Sequence, residues 1–140
     1  QSANPTNITG NGTTYQVPFD AEHWDIGSNA ASNQFVAPIT GKYTFNLSVR
    51  IQNITAAADS ITITLLTSNR SYRVEQINNP VNSVSTILGE DFSSIYTVTD
   101  VDMDAADVAY VTIHGTGEAS DVWDLVGNSG STWFAGHLQF

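Results

Sequence analysis

The chain has 140 residues, no cysteine, and four Lys and Arg against fourteen Asp and Glu, for a formal net charge of −10. This excludes disulfide staples and thiolate metal sites, and it argues against binding nucleic acid by phosphate neutralisation. No run approaches the roughly 18 apolar residues of a membrane span, so no membrane insertion is expected.

Residues 1–12 read as a flexible lead-in to a single domain over 13–140, and a start at Gln1 rather than Met reads as a processed product or a fragment. From there the signal is alternation, not a helical period. "TYQVPFD" (14–20) and "QFVAPI" (34–39) are expected strands whose prolines place them at edges or strand ends. "KYTFNLSVRI" (42–51) puts Tyr43, Phe45, Leu47, Val49 and Ile51 on one face and Thr44, Asn46, Ser48 and Arg50 on the other. "SITITLLT" (60–67) alternates through Ile61, Ile63 and Leu65. "SYRVEQI" (71–77) is less clean, with Gln76 grouped beside Tyr72 and Val74. "SIYTVT" (94–99), "VAYVTIHG" (108–115) and "TWFAGHLQF" (132–140) are rich in β-branched and aromatic residues. Clusters of Gly, Asn, Pro and Ser at 9–12, 27–33, 40–41, 68–71, 77–82, 115–120 and 127–131 supply the turns. Roughly eight to ten short strands without helices predict an all-β, two-sheet antiparallel jelly-roll sandwich.

Four stretches, at 10–29, 35–49, 101–118 and 131–140, together carry a family pattern. The second holds F-x-A-P-x-x-G-x-Y-x-F as Phe35, Ala37, Pro38, Gly41, Tyr43 and Phe45. The last holds F-x-G-x-L-x-F as Phe134, Gly136, Leu138 and Phe140. The chain resembles the globular head of complement component 1q, within the tumour-necrosis-factor-like jelly-roll superfamily. Its first and third stretches look like the prokaryotic and bacteriophage branch; "AAD" at 105–107 replaces the usual "AGD". The resemblance implies a homotrimer joined through one sheet of each jelly roll, with exposed loops that bind ligand. The core is expected to include Phe35, Tyr43, Phe45, Leu47, Phe134, Leu138 and Phe140. Ala135, His137, Gln139 and Asn46 fall on the opposite face, which is expected to meet sister subunits; His137 points to the trimer axis or to solvent, and three copies around an axis would couple assembly to pH, since a cluster of imidazoles resists protonation.

Two further sets of residues are candidates. Trp123, with Asp121, Asp124 and Asn33, is an expected ligand platform, an indole beside polar groups suiting a sugar ring; the competing reading has Trp123 plug a subunit seam or the sandwich end. Asp100, Asp102, Asp104 and Asp107 form the one dense acidic cluster and could offer oxygens to Ca²⁺, or else form a solvated turn capped by Asp107. Ca²⁺ is the one candidate cofactor, and none is required.

No catalytic constellation is visible. There is no Gly-x-Ser-x-Gly elbow, and Glu90 and Asp91 are adjacent in an expected turn, not set across a cleft. The expected function is therefore non-enzymatic. It is a trimeric recognition or attachment head of a phage fibre or virion surface protein, contacting host cell-surface glycan or protein alongside other virion or fibre proteins. Alternatives are a secreted or surface adhesin-like bacterial domain and a purely structural trimerisation head. Each places the chain on a virion surface or outside a cell.

Overall fold

In a computed structural model, the structure describes residues 4–20, 27–31, 33–80, 85–87, 90–128 and 130–139. These form eleven strands: β1 (Thr14–Gln16), β2 (Ala30–Ala31), β3 (Gln34–Val36), β4 (Gly41–Gln52), β5 (Ser60–Thr67), β6 (Ser71–Asn78), β7 (Ser85–Ile87), β8 (Glu90–Met103), β9 (Val108–Thr116), β10 (Asp124–Leu125) and β11 (Trp133–Leu138). One sheet runs β2-β3-β9-β5-β6, with β1 also on β9; the other runs β10-β4-β8-β7, with β11 also on β4. Every pairing is antiparallel. The result is an all-β jelly-roll sandwich, with β2 and β10, two residues each, taking the strand total past the expected range.

Alternation closes the sandwich. Tyr43, Phe45, Leu47, Val49 and Ile51 point inward from β4, against Ile61, Ile63 and Leu65 of β5 and Ala109, Val111 and Ile113 of β9. All eleven are buried. Phe35, Phe134 and Leu138 are partly buried and pack on that core. Phe140 lies outside the described residues. Phe45 stacks on Phe134 with ring centroids 5.1 Å apart and takes Phe35 edge-on at 5.2 Å. Gly136 faces Phe45 across the β11–β4 pair, and a Cβ there would sit 2.4 Å from Phe45 Cε1. The buried Tyr43 hydroxyl donates to the Ile39 carbonyl at 2.6 Å, so the Pro38–Gly41 turn both starts β4 and satisfies its first aromatic.

Three expectations need correction. First, β8 reaches Met103 and takes in Asp100 and Asp102, so these two lie in a strand and not in the expected solvated turn. The strand period explains this: Val101 and Met103 are buried while the intervening aspartates point out. Second, Ile77, not Gln76, shares the partly buried face of β6 with Tyr72. A register shift opposite Ile63/Thr64 inserts Val74 as an extra residue and reverses the alternation beyond it.

Third, the described part of the lead-in, 4–12, is not free. Ile8 and Thr9 are buried. The Ile8 amide donates to the Trp123 carbonyl at 2.8 Å, and the Gly12 amide donates to the Gly115 carbonyl at 2.8 Å. The Leu125 amide donates to the Pro5 carbonyl at 2.9 Å and the Glu118 amide to the Gly10 carbonyl at 3.0 Å. The segment is a strap across the 115–127 region.

Candidate functional site

The strap and the loops at 53–59 and 115–127 gather at one end of the sandwich, where β4 and β9 finish and β5 begins. Trp123 occupies their middle with none of its surface exposed. Its Nε1–H donates to Glu118 Oε1 at 3.0 Å, and Glu118 Oε2 accepts from the Thr55 hydroxyl at 2.9 Å. The indole fills the space left by Gly115, where a Cβ would lie 2.1 Å from Trp123 Cζ3. Trp123 therefore presents no face to a sugar, which overturns the expected ligand platform. The indole plugs this end of the sandwich instead.

Asp124 is also withdrawn from a ligand role. Its two carboxylate oxygens accept from the Asn7 amide at 2.8 Å and from Asn53 Nδ2 at 2.7 Å, which joins strap to loop. Asp121 stays partly exposed and accepts weakly from the Asn11 amide at 3.3 Å. Asn33, at φ 64°, sits in the turn between β2 and β3. β3 pairs with the start of β9 through Phe35 and Val36, whereas Trp123 packs on Gly115 near its end.

The acidic cluster separates as well. Asp100 and Asp102 project from β8 beside Thr44 and Lys42 of β4. Asp107 is committed to a turn, with its Oδ2 accepting from the Asp104 amide at 2.9 Å and from Asn69 Nδ2 at 2.7 Å. Asp104 accepts from the Thr40 hydroxyl at 3.4 Å. Among the described residues, no group of three or more His, Cys, Asp or Glu converges as a metal would need. Ca²⁺ takes six to eight oxygens, so these residues do not fit the ion.

The remaining candidates do share a surface, the outer face of β11, β4 and β8. Register sets its rows: Trp133, Ser48 and Tyr96; then Ala135, Asn46 and Val98; then His137, Thr44 and Asp100. Beyond them, the Gln139 amide donates to the Lys42 carbonyl at 2.7 Å, and Lys42 is opposite Asp102. Ala135, His137 and Gln139 are exposed and Asn46 is partly so. The first two rows are neutral and carry the large apolar groups. Tyr96 is 59% exposed and Val98 49%, and the Tyr96 and Trp133 rings lie 5.7 Å apart. Tyr96 and Val98 were missed in the sequence, although the alternation of "SIYTVT" puts both opposite buried Ile95.

The third row is polar and connected. Gln139 Nε2 donates to Thr44 Oγ1 at 2.6 Å, and that hydroxyl donates to Asp100 Oδ1 at 2.7 Å. Hydrogen bonding from Thr44 and Gln139, helped by the charges of Lys42 and His137, holds the Asp100 carboxyl below its ordinary range. At the far end of the face the Arg50 guanidinium lies 3.8 Å over the Phe92 ring.

These sheets and their order make a two-sheet antiparallel jelly roll. Two crystal structures of murine APRIL, at pH 5.0 and pH 8.5, superpose with TM-scores of 0.55 and 0.58. Each is 13% identical over 96% of this chain, which covers 90% and 89% of theirs. No protein-family model and no curated protein matches the sequence.

Proposed function

We propose that the chain is the non-enzymatic head of a homotrimer that joins through the outer face of β11, β4 and β8 and binds an external ligand with its end loops. The observation that carries this reading is the strip of exposed Tyr96 and Val98 beside the half-buried Trp133, in a neutral part of an acidic protein. Surface aromatics of this kind are enriched at the centres of protein interfaces, and the jelly-roll likeness agrees with such an assembly. The prokaryotic or phage character of the sequence pattern makes the head an attachment module, placed on a virion fibre or another external surface and directed at host glycan or protein. Variation is tolerated best in loops on a rigid scaffold. Exposed positions at 55–57 and 119–120 suit that role.

The test is a glycan array and whole-cell binding with the purified protein, beside Ala57→Lys and Ser120→Lys. Expected is binding by the parent protein and its loss in the loop variants, with oligomeric mass unchanged. Absence of binding to any glycan or cell, with a fibre that still needs this head to assemble, would make it a purely structural trimerisation unit.

A further inference from the structure

The outer face of β11, β4 and β8 is divided into two halves of different character. The Tyr96 and Val98 rows carry no charge, whereas the next two rows hold Asp100 and Asp102 from β8, Lys42 from β4 and His137 from β11. Arg50, over Phe92, belongs to the far end of the face and does not balance this half. Val126 and Thr132, which also bond to Arg50 of β4, bring no titratable side chain. Asp104, just past the end of β8, lines the same hollow as Lys42 and Asp102, so with His137 neutral three carboxylates stand against one ammonium, an excess of two negative charges per copy. The hydrogen-bonded chain from Gln139 through Thr44 fixes Asp100 in the carboxylate form, since the Thr44 hydroxyl donates to it.

We propose that His137 is a proton-operated control of self-association: its protonation reduces the excess negative charge of this half-face, and the copies bind more tightly. This rests on the trimer reading above. Copies that meet on a common face bring the same charges together, so each excess is repeated in every subunit and the subunits repel. Carboxylates keep their charge between pH 5.5 and 8, whereas imidazole is the side chain that ordinarily changes charge there. Assembly then takes up protons, and by linkage its association constant rises as pH falls through this range. This sign is opposite to that of an imidazole cluster alone, because the fixed carboxylates beside His137 outnumber the one ammonium.

The experiment is sedimentation equilibrium of the full chain at pH 8.0 and pH 5.5, with subunit exchange between labelled copies as the readout where dissociation is too weak to see. The parent protein is expected to associate about tenfold more tightly, or to exchange about tenfold more slowly, at pH 5.5, the factor one unit of proton linkage supplies. His137→Asn should remove the pH effect. His114→Asn should keep it, because His114 lies on the other sheet beside Thr14. Asp100→Asn should keep its sign but weaken it, since Asp102 and Asp104 still outnumber Lys42. A trimer whose strength does not change with pH, or an effect that survives His137→Asn, would overturn the control while leaving the trimer reading intact. A chain that is monomeric at both pH values would overturn both.

Discussion

Replacing Phe45 with Ala is expected to lower the free energy of unfolding by about 3–5 kcal/mol, the cost of truncating a buried aromatic in a packed core. Phe45 is fully buried, stacks on Phe134, takes Phe35 edge-on and fills the space that Gly136 leaves open. Its removal strips packing from both β3 and β11 at once. Against the 5–15 kcal/mol typical of a whole domain, the loss is large, and guanidinium unfolding measures it. A midpoint close to that of the parent protein would mean that the aromatic cluster is not the centre of the core. Gly136→Ala tests the same contact from the other side, because its Cβ would press into the Phe45 ring.

Deletion of residues 1–12 is the second large effect, expected to cost about 3 kcal/mol or more. Burial of a side chain such as Ile8 contributes about 1.5–3 kcal/mol. Each lost hydrogen bond adds up to about 1 kcal/mol where its partner stays buried. The Gly115 amide loses the Thr9 hydroxyl, and the Trp123 amide loses the Thr9 carbonyl. Ordering the strap offsets part of this gain. A flexible lead-in could be removed with no change in stability, so unfolding of the truncated chain separates the two descriptions. A red shift in the tryptophan emission of the folded truncated protein would report the uncovering of Trp123.

What could be read from the sequence depended on how each residue's neighbours are specified. Strand β5, Ser60–Thr67, was legible to the residue because Ile61, Ile63 and Leu65 alternate between two well-separated faces. The outward side of β11 was legible for the same reason, since Ala135 and His137 are exposed between the half-buried Phe134, Gly136 and Leu138. The end of β8 was not, because Asp100 and Asp102 resemble a polar loop until Val101 and Met103 are seen as their buried alternates. The bulge at Val74 was hidden because it is defined by pairing with β5, not by local composition. Trp123 misled for a related reason. Its sequence neighbours are polar, yet its burial is set by Gly115, Glu118 and the strap, more than a hundred positions away in the case of Ile8 and Thr9. Glu118, the hinge of that arrangement, carries no signal of its own in the sequence.

The central claim is that the face carrying Tyr96, Val98 and Trp133 joins three copies of the chain. Sedimentation velocity of the parent protein beside Tyr96→Asp tests it most directly. Tyr96 is exposed in the single chain, so the substitution leaves the fold of each chain intact and circular dichroism should be unchanged, while the unfolding midpoint falls only by what subunit association had added. The account predicts a parent species of three times the chain mass and a folded, single-chain Tyr96→Asp. A monomeric parent protein, or a Tyr96→Asp variant that remains a trimer of undiminished strength, would contradict it.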